Sequence, residues 1–416
     1  MIRYFRDLGE RIERDWLRAS YNEEVFSNLV QGELEREPLI DHVNVPEIID
    51  WIFNSSQEFR QPHQSQLFGE PPVMLFQTRR FYIEALFWLS GTTAIHEHSF
   101  SGAFTVLAGS SVHSHWRFLP SHTVNSRMIC GRLERVSTEI LRPGGVCPIH
   151  AGDRLIHQLF HLELPSVTIV VRTFGERQHL PQYSYLLPGL ALDREDVDEL
   201  RARRLIFIDG MARGHIEGLE KYAYKMVENE DLESLFYLFS TLSHRKIDGA
   251  LLEDLYRVAR ERHGEVINLF RNACEEERRT RIITALRSKV QYHEGRFLLA
   301  LLMLLPDRES IFETILLQFP GVDPLAAIET WLGVMSGKEI IGFDFSDENR
   351  LIFRSLMEGL DVEGMLQRLR TEFQESSVNA HRDRLIDHAK QMARSDLFLP
   401  LLSQSPLRRE AGVRMP

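Results

Sequence analysis

Eleven of the 17 histidines in this chain lie before residue 180, and two of them, His96 and His98, are separated by a single residue. On a β-strand, side chains two apart share a face, so both imidazoles can reach one ion while Glu97 points the other way. His157, at the end of IHAGDRLIH and ahead of another β-rich stretch, is the third candidate ligand. Neutral imidazoles suit iron, zinc, copper or nickel. Three of them on one side of an ion leave positions open for water, oxygen or a substrate. An isolated pair of strand histidines is more often two solvated side chains; it is the third histidine that favours an ion. A second pair, His113-Ser-His115, follows. On a hairpin turning at Gly109-Ser110 it sits opposite Phe104 and Val106, can face the same interior, and reads as core or support rather than as ligand.

These side chains need a rigid frame. From about 73 to 175, short runs of Val, Ile, Leu, Phe and Thr alternate with turn signals at Ser90-Gly91, Ala108-Gly109-Ser110, Arg142-Pro143-Gly144-Gly145 and Ala151-Gly152-Asp153. Strands at that spacing predict a sandwich or barrel. Before them, residues 1–55 read as helical, with Phe5, Leu8, Ile12 and Trp16 three to four apart and a helix start at Asn44-Val-Pro-Glu. A Gln-, Pro- and Ser-rich loop is expected over about 56–72. From about 193 onward nearly everything reads as helix, with N-caps at Asp323 and Ser346. The expected organisation is a helical arm over 1–60, a β-barrel over 61–190 and an α-helical domain over 191–416, with the change of texture between about 176 and 200.

The totals narrow the function. At 416 residues, two domains are expected. The net charge of −11 argues against nucleic acid or an acidic membrane surface as partner. The longest apolar run, Phe297 to Leu305, is far short of the roughly 20 residues that cross a bilayer. The charged start MIRYFRDLGERIERDW has no apolar export core, and Cys130, Cys147 and Cys274 form no CxxC pair. These features predict a cytoplasmic protein with neither disulfides nor a thiolate metal site. Lysine is scarce, six against 43 arginines, and the first is Lys221. No lysine Schiff base or P-loop lysine is therefore available in the first half, which leaves arginine as its permanent cation.

The segments SGTTAIHEHSFSGAFTVLAG and LRPGGVCPIHAGDRLIHQLFH, in that order and about 60 residues apart, resemble the two cupin motifs. In the first, glycine precedes HxH and a hairpin ending in glycine; in the second, Pro-Gly opens a strand and a later histidine completes a metal site. The resemblance covers about a quarter of the chain and implies a cupin-type barrel with metal on His96, His98 and His157. Many cupins add a glutamate four or five residues after the second histidine, where this chain has Gly102 and Ala103. A three-histidine set without that carboxylate resembles the cysteine dioxygenase branch, which uses ferrous iron. FQTRRFYIEALFWLSG resembles the part of that branch carrying a substrate-holding arginine, a role implied for Arg79 or Arg80. SVTIVVRTF resembles its strand of alternating inward residues, but Arg172 replaces the catalytic tyrosine and Val170 stands where a histidine is frequent. His161 takes the place of an asparagine that often follows the second motif, which implies a supporting role.

The combined reading is an α+β multidomain protein: helical arm, cupin-type β-barrel, all-α C-terminal domain. The expected activity is that of an Fe(II)-dependent oxygenase using O₂ on a small or tethered substrate with an anionic or thiol group. Zn, Ni or Mn are the alternative ions. Arg172, ahead of Arg79, is expected to hold the substrate's anion, because an inward, unpaired guanidinium needs a partner. A Lewis-acid cupin doing hydrolysis or isomerisation is one alternative, and a ligand-sensing cupin that is not an enzyme is another. The helical domain is a candidate homodimer surface, and no membrane or nucleic-acid partner is expected.

Overall fold

The computed structural model describes residues 1–54, 61, 69–89, 91–194, 196, 198–214, 216–245, 247–335 and 341–410. Three helices open the chain. α1 (Ile2–Arg18) buries Phe5, Leu8, Ile12 and Trp16 along one stripe, the spacing of a helix lying on a core. Asn22 caps α2 (Glu23–Arg36) by accepting the Glu24 N–H, one of the donors every helix start leaves open. α3 (Val45–Asn54) begins with a reciprocal cap, Asn44 N–H to Glu47 and Glu47 N–H to Asn44. Most of the expected 56–72 loop, and Ser90 of the first expected turn, lie outside the described residues.

Eleven strands follow: β1 (Pro72–Gln77), β2 (Phe81–Trp88), β3 (Ile95–His98), β4 (Gly102–Ala108), β5 (Ser111–Asn125), β6 (Met128–Leu141), β7 (Val146–Ile149), β8 (Gly152–His161), β9 (Ser166–Thr173), β10 (Tyr183–Leu186) and β11 (Leu190–Asp193). One sheet runs β1-β2-β9-β4-β7, and the order β10-β11-β6-β5-β8-β3 closes into a barrel. The expected hairpin pairing across Gly109-Ser110 does not form. β4 pairs with β7 and β9, whereas β5 pairs with β6 and β8. Gly109, at φ +77°, has Ser166 so close that a Cβ would collide with it, so the chain changes sheets there through the left-handed region that favours glycine.

The five-stranded sheet has two different faces. Ile83, Ala85, Val167, Ile169 and Val171 share a core with Phe5, Leu8, Ile12, Trp16, Phe26 and Val30 of the arm. The alternate residues Glu84, Leu86, Trp88, Thr168, Val170 and Arg172 line a cavity with His96, His98 and His157. The period of two along β2 and β9 thus separates a dry helix-covered face from a chemical one.

Beyond β11 the chain is helical, and it divides into two compact units, Met1–Arg278 and Arg279–Pro416. In the first, α4 (Glu199–Gly214), α5 (Leu219–Asn229), α6 (Leu232–Ser243), α7 (Gly249–His263) and most of α8 (Val266–Lys289) share a core with Met128, Cys130, Leu190 and Leu192 of β6 and β11. Glu233, fully buried, ties this contact together by accepting from Asn125 and pairing with Arg127 and Arg201. In the second unit, α9 (His293–Leu304) is buried from Gly295 through Leu304. The longest apolar run is therefore a core helix, and no helix among the described residues is long and apolar enough to cross a membrane. α10 (Arg308–Gln318), α11 (Pro324–Val334), α12 (Asp347–Met357), α13 (Val362–Glu372), α14 (Glu375–Ala380), α15 (Arg382–Arg394), α16 (Leu399–Leu402) and α17 (Pro406–Glu410) complete it. Asp323 and Ser346 accept the first N–H groups of α11 and α12 as expected. The architecture is α+β: a helical arm, a cupin-type barrel, and helices through the remaining described residues.

Candidate metal centre

β3 and β8 pair with His96 opposite His157, and the register shifts between His96 and His98. One nitrogen from each of His96, His98 and His157 lies within 4.8 Å of the other two. The Nε2 atoms of His98 and His157 are 2.9 Å apart, and the three rings are 2–6% exposed. The expected ligands therefore meet in one place, and Gly102 and Ala103 bring no carboxylate to it. Glu97 points away as the strand period requires, and Tyr185 donates to its carboxylate at 2.6 Å.

Burial keeps all three imidazoles neutral. The pKa of His96 falls to about 4, mainly through desolvation and in spite of the Ala94 carbonyl 2.8 Å from Nδ1. Those of His98 and His157 fall well below the ordinary value, again by desolvation first and then by neighbouring His96. Neutral imidazole is the form that binds metal. The Ala94 carbonyl fixes the proton of His96 on Nδ1, which leaves Nε2 as the donor. At 2.9 Å the Nε2 atoms of His98 and His157 share either one proton, as an N–H···N hydrogen bond, or, with both lone pairs turned inward, a cation. The unpartnered buried Nδ1 of His98 is likewise where its proton must sit once Nε2 binds. These features fit a divalent ion.

Behind His157 runs a chain of polar contacts. Its Nδ1 is 2.9 Å from His113 Nε2, and His113 Nδ1 is 3.2 Å from Glu139 Oε1. With His157 Nε2 turned to an ion, Nδ1–H donates to His113, which in turn donates to Glu139. Outer partners of this kind orient a ligand and raise its basicity. His115 Nε2 lies 3.3 Å from His113 Nδ1 and 3.4 Å from Glu139. Cys147 joins them: one donor atom from each of His113, His115 and Cys147 lies within 4.8 Å of the others. Burial, then Glu139, pushes the Cys147 thiol up to about 12. The spacing of the cysteines predicts no thiolate metal site; Cys147 comes beside these histidines because β4 pairs Phe104 with Cys147 and so brings β7 into the same interior.

The cavity encloses about 50 Å³, room for a few waters or a small functional group. Arg172 lines it, as the alternation along β9 predicts, but it has a counter-ion: its Nε is 3.0 Å from Glu84 Oε1. The guanidinium also lies over the rings of Phe100 and Tyr82, 4.2 and 4.9 Å from their centroids. The acids near Arg172 in sequence do not share its strand face, which is why an unpaired guanidinium is expected there. Glu84 stands 88 positions earlier, on the strand that pairs Tyr82 with Arg172. Arg79 and Arg80 stand exposed in the turn between β1 and β2, outside the cavity lining, with Arg80 over Tyr21. His161 is fully buried, bonded at Nδ1 to Ser111 and stacked on Trp88. Trp88 in turn donates to Thr168 on the cavity wall.

No known family model matches the chain, and no curated protein does. Among solved structures, it has similarity to a hydroquinone 1,2-dioxygenase from Sphingomonas sp. TTNP3, at 13% identity over 27% of this chain and 70% of that one, with a TM-score of 0.20. A DMSP lyase structure matches at 13% identity over 43% and 96%, TM-score 0.23. An oxalate oxidase matches at 16% over 36% and 68%, TM-score 0.19. At these scores none of the three bears on what this chain does.

Proposed function

We propose that the protein is a metal-dependent oxygenase, with Fe(II) held by His96, His98 and His157 and a small substrate bound against β2 and β9. The observation that carries this reading is the convergence of three buried, neutral imidazoles, without a carboxylate, on a small cavity with one arginine in its wall. Iron in that setting would supply the one-electron chemistry by which O₂ reacts with a bound organic molecule. The chain's own residues do the rest. Leu86, Phe100, Phe104 and Val170 exclude water from the reacting groups. Arg172 orients an anionic or thiol-bearing substrate and shares its charge between that group and Glu84. Thr168, fixed by Trp88 and through it by His161, holds the wall in place. Arg79, exposed in its turn, has no part in this scheme.

The test is anaerobic loading with Fe(II), followed by oxygen uptake with a panel of small thiols, phenols and carboxylic acids. Uptake with at least one substrate, lost in His98→Ala, is the expected result. An iron-loaded chain that consumes no oxygen with the whole panel overturns the reading.

A further inference from the structure

His113, His115, Glu139 and Cys147 are only partly explained by their contact with His157. We propose that they form a second cation site, suited to a tetrahedral dication such as zinc, and that its occupancy excludes an ion from the His96–His98–His157 cluster. This proposal does not rest on the oxygenase reading.

The donor spacing comes first. Ligands about 2.0–2.1 Å from a tetrahedral ion lie about 3.3–3.4 Å from one another. His113 Nδ1, His115 Nε2 and Glu139 Oε1 are separated by 3.2, 3.3 and 3.4 Å. Three edges of the right length are thus present, and the Cys147 sulfur lies within 4.8 Å of one nitrogen of each of the two imidazoles. The fold holds them there: β5 puts His113 and His115 on one face, and β6 pairs Glu139 with His113. Two imidazoles, a carboxylate and a thiolate make a borderline-to-soft set of the kind zinc favours. The site also has an entry. The side chains of His115 and Glu139 are 28% and 52% exposed, whereas His113 is fully buried. Binding exchanges the Cys147 thiol proton for the ion, and the proton leaves to solvent.

The exclusion follows from one hydrogen bond. The contact between His157 Nδ1 and His113 Nε2 holds a single proton. When His157 Nε2 binds an ion, Nδ1 must carry that proton, so His113 accepts at Nε2 and is protonated on Nδ1. Its lone pair is then unavailable to the second site. When His113 Nδ1 binds an ion, its Nε2–H donates to His157, whose Nε2 becomes protonated and drops out of the first cluster. A neutral imidazole has one lone pair in the ring plane, so each tautomer serves one site.

The test is an anaerobic titration of the full chain with Co²⁺, which reports a thiolate ligand by near-ultraviolet charge transfer. His98→Ala is expected to bind one Co²⁺ per chain with that band, and adding Cys147→Ser removes the band. His115→Ala, at the partly exposed ligand, should weaken the same signal at least tenfold in the His98→Ala background while circular dichroism is unchanged. The parent chain should bind one Co²⁺ in total. No thiolate band in His98→Ala, or a band that survives Cys147→Ser, overturns the site. Two Co²⁺ bound per parent chain overturns the exclusion.

Discussion

The chain carries the same short pattern twice, His-x-His at 96–98 and again at 113–115, and the fold treats the two pairs differently. The first meets His157 across a strand pair, is almost wholly buried, and has a cavity on its open side. The second meets a carboxylate and a thiol, and one of its members reaches the surface. Both pairs alternate on a strand, so the difference lies entirely in what the neighbouring strands present. An HxH pair sets two imidazoles on one strand face, and non-local pairing decides what they meet there.

The largest expected effect separates the two pairs outright. His98→Ala should weaken Fe(II) binding by more than the roughly 100-fold that loss of an outer partner can cost, and abolish turnover; His115→Ala should leave Fe(II) bound. Metal analysis after dialysis checks both, and equal losses would erase the distinction. A second effect depends on pH. The folded pKa of His96, about 4, lies below its ordinary 6.5, so between those values the unfolded chain takes up a proton that the folded chain refuses. Stability of the metal-free protein should be full above about pH 6.5 and fall as pH drops toward 4, by on the order of 3 kcal/mol from this group. Urea unfolding at a series of pH values measures it, and His96→Gln should flatten the slope. Next in size, Glu139→Gln keeps an acceptor for His113 but removes its charge, and should weaken iron at the first cluster about tenfold. A change below twofold would show that the contact chain behind His157 does not tune it. Smallest is Arg172→Lys, which keeps charge but loses the planar fork. It should raise KM several-fold while iron content stays constant; an unchanged KM would remove Arg172 from the substrate.

The features that follow from local spacing, in the site and in the helices, were legible in the sequence. The alternation of 96 and 98, the even-numbered inward face of β9 and the caps at Asp323 and Ser346 depend on neighbours within a few residues. Glu84 beside Arg172, Cys147 beside His113, and the change of sheets at Gly109 depend on which strands pair. No period in one strand reveals its partner. The helices after β11 show the same limit. Their apolar spacing is plain in Leu235, Phe236 and Phe239, yet nothing local states that these residues share a core with Met128 and Leu190 of the barrel.

The two-faced sheet has a consequence for how such a protein can change. On β9, Val167, Ile169 and Val171 hold the arm, while Thr168, Val170 and Arg172 face the cavity. Substitutions at even positions can alter what the cavity accepts without disturbing the arm's core, and those at odd positions do the reverse. A single-residue deletion within the strand would exchange the two sets, placing Arg172 among the arm's aromatic rings and valines against the histidines. Point changes are therefore an open route to a differently lined cavity on this scaffold, and shifts of register are a closed one.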